Sequence, residues 1–193
     1  MWSPRTVSAI SSRKGRPINV APPNLLVWPD PLLSSRSAEV EKFDDELAEL
    51  AEQMCNFLKG SDNVGISAVQ FGVPLRVVVI ALEETGKRLV LVNPTVEPEP
   101  SEKGAIETIM LSVEGCLSVP GVVARLKDKR VYSVRVAATG LDGMPVVTTL
   151  RGRDAVAAQH EVDHLDGITI LDRMPRVPAR LAKERLKRRS RRK

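Results

Sequence analysis

The chain has 193 residues but only two histidines, and both stand in one hexapeptide, QHEVDH, from Gln159 to His164. No other feature constrains the fold as much. On a helix, residues four apart lie one turn above each other, so His160 and His164 aim two imidazoles at a common point. A metal ion fits such a point, and Glu161, beside the first ring, stays within reach of a water there. Two solvent-facing histidines placed by coincidence are the alternative. The flanking pattern favours a helix: DAVAAQHEVDHLDG offers Asp154 as a cap and Gly167 as a stop.

A second helix is predicted upstream. In SAEVEKFDDELAELAEQMCNFLKG, apolar residues recur in steps of three or four at Val40, Phe43, Leu47, Leu50, Met54 and Phe57. Ser37 is the expected cap and Gly60 the expected stop. Between the two helices come β-branched runs: RVVVIAL (Arg76–Leu82), RLVLVNP (Arg88–Pro94), VYSVRVAAT (Val131–Thr139) and PVVTTL (Pro145–Leu150). Gly- and Pro-containing turns separate them, which predicts antiparallel strands, and EPEPSEKG (Glu97–Gly104) reads as an exposed loop. The predicted class is α+β, with antiparallel strands packed around a central metal-binding HExxH helix and with an N-terminal amphipathic helix. The expected organisation is a lead-in over 1–22, one catalytic domain over 23–175 and a basic tail over 176–193.

Composition narrows the classes. No apolar run approaches the roughly 20 residues of a membrane span. The opening MWSPRTVSAISSRKGRPINV is rich in Arg and Ser and has no acid before Asp30. It resembles an organellar transit peptide or a disordered bacterial leader, and it lacks the apolar stretch of a secretory signal. Two cysteines make no disulfide framework, which favours a cytosol-like compartment. Cys55 falls in the predicted first helix as a small buried thiol, with a Cys55–Cys116 bridge as the competing arrangement. The net charge of +5 is uneven: from Arg176 onward ten Lys or Arg face one Glu, so that stretch carries +9 and the remainder −4.

A catalytic metal usually takes three protein ligands and keeps one position for water. A zincin-type peptidase would draw its third from downstream, where Glu184 sits among basic residues. The better candidate is Cys116 in SVEGCLSVPG (Ser112–Gly121), 44 residues before His160. Alone, Cys116 reads as core filler; beside a histidine pair lacking a partner, it reads as the thiolate of a Cys-His-His set. A zinc peptidase and an RNA-associated protein with a structural metal are the rival functions.

EGCLS together with QHEVDH resembles the peptide deformylase family. That family's further motif, G-x-G-x-A-A-x-Q, is approximated by NVGISAVQ from Asn63 to Gln70: Gly65, Ala68 and Gln70 match, while Asn63 and Ser67 depart. The resemblance spans about Pro29 to Met174. It implies a metal-dependent hydrolase that removes the formyl group from the N-terminal formyl-methionine of newly synthesised polypeptides and releases formate. Cys116, His160 and His164 would hold the metal, and Glu161 would take a proton from water and hand it to the departing amine. By the same resemblance, the Gln70 side-chain amide and the Leu117 backbone N–H would steady the oxyanion. Glu114 would pair with an arginine, Arg130 or Arg125. The substrate main chain would pair near Val64 and Gly65 as an added strand, with an apolar pocket drawing on Val64 and Val156.

A thiolate with two imidazoles suits zinc, iron or nickel. The resemblance implies Fe2+ as the native ion, with Zn2+ or Ni2+ as substitutes. It also implies a cytoplasmic, bacterial-type enzyme, with organellar import as the second setting and no membrane partner. The basic tail reads either as a solvated terminus or as a ribosome contact; its lack of aromatics argues against sequence-specific nucleic-acid reading.

Overall fold

Val77, Val78, Val79 and Ile80 are consecutive and all fully buried, so the sheet that holds them must be covered on both faces. The computed structural model describes residues 25–59, 62–101, 104–105 and 113–190, and as backbone alone the strands Ile10–Ser11, Pro17–Ile18 and Thr108–Ile109. In chain order the elements are β1 (Ile10–Ser11), β2 (Pro17–Ile18), α1 (Asp45–Leu58), β3 (Gly65–Ser67), β4 (Val77–Ala81), β5 (Arg88–Pro98) and β6 (Thr108–Ile109). There follow β7 (Val113–Gly115), β8 (Val123–Arg125), β9 (Arg130–Val131), β10 (Ser133–Thr139), β11 (Pro145–Arg151), α2 (Gly152–Leu165), α3 (Ile170–Arg173) and α4 (Arg176–Ser190). Apart from the β1–β2 pairing, the lead-in 1–22 lies outside the described residues.

Five strands form an antiparallel sheet in the order β11–β10–β5–β4–β3, which leaves β3 at one edge. The period of two along β4 divides its side chains. Val77 and Val79 join Leu47, Leu50, Met54 and Leu58 of α1 in one core, together with Ile66 and Val92. Val78 and Ile80 join Ala155, Ala157, Ala158 and Leu165 of α2 in the other, with Leu91, Val134 and Val136. The chain thus combines helices with antiparallel sheet. Fully burying each such Leu, Val or Met contributes about 1.5–3 kcal/mol, so α1 and α2 are held mainly by these two faces.

Two helix starts differ from expectation. Helix α1 begins at Asp45, not near Ser37, because Asp44 accepts a hydrogen bond from Leu47 N–H and the acids Asp45 and Glu46 follow in the first turn. Residues 37–43 lie outside the helix: Ser37 N–H bonds to Leu165 C=O, and the Asn93 side chain brackets both backbone groups of Val40. Val40 therefore reaches the core from a non-helical segment, and its helical spacing is coincidental. Gly60, the expected stop, lies outside the described residues.

Helix α2 begins at Gly152, and Asp154 is not its cap. The Asp154 carboxylate instead accepts from Glu83 N–H at 3.1 Å, tying α2 to the end of β4. Gly167 ends the helix with φ +76°, where an added Cβ would stand 2.8 Å from the Ser34 backbone. The loop expected over Glu97–Gly104 is in part strand, since β5 extends to Pro98; residues 102–103 lie outside the described ones.

A third cluster is smaller. Ala179 and Leu186 of α4 pack with Ile170, Leu171 and Met174 against Val119 and Ala124, in and beside the β7–β8 hairpin. The C-terminal stretch is therefore helical through Ser190 and has a buried face. At the other end, Leu26 N–H bonds to Gln70 C=O and Trp28 N–H to Ser118 C=O, both at 2.8 Å. This segment ties the loop after β3 to the loop after β7. Among the described residues no helix is long and apolar enough to cross a membrane.

Candidate metal centre

Helix α2 presents His160 and His164 one turn apart, with ring centroids 5.0 Å from each other. The loop after β7 brings Cys116 to them: its Sγ lies 3.1 Å from His164 Nε2. One ligand atom from each of the three residues falls within 4.8 Å of the others. Cys55 and Cys116 are free thiols in different clusters, so no bridge joins them. Glu184, the peptidase alternative, is on α4 beside Arg185, Arg188 and Arg189, outside this group.

The donor set fits a divalent ion of the transition series. Metal–ligand bonds of roughly 2.0–2.3 Å fit between atoms this close. The second nitrogen of His160 points the same way: Nδ1 lies 2.8 Å from a Glu114 carboxylate oxygen, so Nδ1–H donates and the Nε2 lone pair is left for the centre. Burial lowers the His164 pKa to about 3, with His160 adding to the effect, so this ring is neutral and able to donate a lone pair. Burial acts downward on His160 as well, but its hydrogen bonds with Cys116 and Glu114 outweigh that and raise it well above its ordinary value. A metal ion would take over the role of that proton.

Behind the centre runs a chain of buried charge. Arg130 donates from Nε and Nη2 to Glu114 at 2.8 and 3.0 Å, and from Nη1 to Asp163 at 2.7 Å. Arg173 donates to both oxygens of Asp163, sharing Oδ2 with Arg130. Of the two arginines considered for Glu114, Arg130 makes this fork while Arg125 lies exposed on β8. Burial would lower the Arg130 pKa, but the hydrogen bond and charge of Glu114 and the charge of Asp163 raise it. Asp163 and Arg173 were not singled out from sequence. An acid at that position of QHEVDH reads as a solvated helix residue until Arg130 is known to face it.

In front of the centre opens a cavity of about 640 Å³ whose lining includes Val64, Gly65, Gln70, Leu117, Val156 and Glu161. Glu161 packs against the backbone of β3, and a Cβ added to Gly65 would stand 2.8 Å from Glu161 Cγ, so only glycine admits it there. Burial raises the Glu161 pKa to about 7, partly offset by the His160 charge. Its Oε2 is buried with no partner among the described residues, an acceptor waiting for a donor. Gln70 sits in the 3-10 turn after β3, where its Oε1 accepts from Ser67 and its Nε2 reaches toward Ser118 Oγ at 3.2 Å. Neither Ser67 nor Ser118 was singled out as a contributor to the site; each neighbours a motif residue, which was the available signal.

The chain matches the family model described as polypeptide deformylase over residues 22–179. A peptide deformylase of Dictyoglomus thermophilum is 40% identical over 144 residues, covering 75% of this chain and 87% of that one. Among solved structures, a plant peptide deformylase superposes with a TM-score of 0.76 at 30% identity, covering 88% of this chain and 91% of that one. The peptide deformylase of Legionella pneumophila superposes with a TM-score of 0.72 at 32% identity, covering 89% and 98%. The match runs across both faces of the sheet and the Cys-His-His centre, and the chain belongs to the polypeptide deformylase family.

Proposed function

We propose that this chain is a metal-dependent hydrolase that removes the formyl group from the N-terminal formyl-methionine of newly synthesised polypeptides. The observation that carries the reading is the meeting of Cys116, His160 and His164 at the wall of a cavity in which Glu161 has an unpartnered carboxylate oxygen. In this reading the three residues hold one divalent ion, Fe2+ natively, with Zn2+ or Ni2+ as substitutes. When bound, the ion supplies Lewis acidity toward water and toward the formyl carbonyl.

The remaining work falls to the protein. The peptide main chain lies along the edge of β3, pairing with backbone groups at Val64 and Gly65. Supporting this, β3 ends the five-stranded sheet, and its outer edge pairs with no other strand among the described residues. The methionine side chain enters the apolar space beside Val64 and Val156, both of which line the cavity. Glu161 takes a proton from the attacking water and passes it to the amine nitrogen as the C–N bond breaks, so formate and a free α-amine leave. The Gln70 side-chain amide and the Leu117 backbone N–H donate to the oxygen that carries negative charge in between. Glu114 and Arg130 keep the His160 ring aimed.

Residues 23–175 are assigned to catalysis and the exposed basic residues of α4 with the rest of 176–193 to a ribosome contact; the setting is cytoplasmic, with a targeting role for the lead-in 1–22 belonging to the alternative of organellar import. Arg180, Arg185, Lys187, Arg188 and Arg189 are all exposed on α4, whose Ala179 and Leu186 are buried. Binding to ribosomal RNA through that face weakens steeply with salt and survives Glu161→Gln. The hydrolase reading itself is tested by formate release from a formyl-methionyl peptide, using anaerobically purified protein with Glu161→Gln alongside. Inactive wild type at full metal occupancy would overturn it.

A further inference from the structure

Ser67 ends β3 and is fully buried. Its hydroxyl oxygen lies 2.8 Å from Gln70 Oε1, and its backbone N–H donates to the same oxygen at 2.9 Å. Two donors on one carbonyl oxygen decide which way the Gln70 amide faces. With the amide reversed, the NH2 group would confront the Ser67 N–H, donor against donor. As it stands, Nε2 is turned toward the centre, 3.2 Å from Ser118 Oγ and 4.0 Å from Cys116 Sγ. A hydrogen bond accepted at Oε1 also draws charge from the amide nitrogen, which makes its N–H the stronger donor.

We propose that Ser67 is a positioning residue: its hydroxyl orients and polarises the Gln70 amide that donates to the oxyanion. The proposal rests on the hydrolase reading above, in which Gln70 is that donor. Ser67 also stands beside Glu161, whose carboxylate is a second acceptor for the same hydroxyl. One hydroxyl carries one proton, so it serves one of the two acceptors at a time. The assignment to Gln70 is therefore separable from an assignment to Glu161.

The test is a double-mutant cycle on the metal-loaded enzyme, following formate release from a formyl-methionyl peptide in wild type, Ser67→Ala, Gln70→Ala and the pair. Losing one neutral hydrogen bond corresponds to a fall in kcat of about three- to tenfold. That fall is expected in Ser67→Ala with KM little changed, and it should vanish when Gln70 is already Ala. A second readout needs no turnover: the Gln70 side-chain amide resonance, identified by its loss in Gln70→Ala, shifts in Ser67→Ala. If the Ser67→Ala loss persists undiminished in the Gln70→Ala background, the hydroxyl serves Glu161 and the proposal is overturned. An unmoved Gln70 resonance overturns it as well, even where wild type releases no formate; that last result by itself counts against the hydrolase reading.

Discussion

Glu161 is enclosed by the backbone of β3 on one side and faces the cavity on the other, so its carboxylate has little freedom. Replacing it with Gln keeps the shape and removes the proposed proton acceptor. Formate release should fall by about 100- to 10,000-fold while elemental analysis finds the metal retained, because the proposed ligands Cys116, His160 and His164 are untouched. Gly65→Ala should act on the same residue from outside. The new Cβ would meet Glu161 Cγ at 2.8 Å and Oε1 at 2.9 Å, which forces the carboxylate aside. A displacement on the order of 1 Å costs roughly 100-fold in rate. The expected signature is a drop in kcat larger than any change in KM.

At the scale of elements, the centre depends on charges that bridge them. Arg130 at β9 reaches Glu114 on β7 and Asp163 on α2 at once, and its side chain is only 6% exposed. Arg130→Met would leave buried Glu114 without its arginine and Asp163 with Arg173 alone, a loss of about 3–5 kcal/mol of stability measurable by denaturant unfolding. Metal affinity should fall about 10- to 100-fold with it, since Glu114 orients His160. This bridge shows what sequence conveys and what it hides. The β-branched runs of β4, β5, β10 and β11 were legible because strand propensity and the turn residues between them agree. The start of α1 was not, since Val40 and Phe43 keep helical spacing by chance and the local cap, Asp44, lies further on. Cys116 was legible because two histidines need a third ligand. Asp163 and Arg173 were not, because ion pairs between distant segments leave no periodic trace.

For the whole molecule, the candidate ligands come from separate elements: Cys116 from the loop after β7, the histidines from α2. An ion held by both therefore ties the loop to the helix and adds to folding free energy. Chelation should abolish formate release and lower Tm, and anaerobic return of Fe2+ should restore both. After deliberate oxidation of Cys116 the restoration should fail, because a sulfinate no longer offers a thiolate ligand.

Leu26 and Trp28 hold the carbonyls of Gln70 and Ser118 through their own backbone. Shortening this protein from its N-terminus is consequently a matter of where the cut falls. Upstream of Leu25 a cut leaves the fastening in place. A few residues later it unbuttons two loops that share no hairpin, and the damage surfaces at Gln70, more than forty positions away.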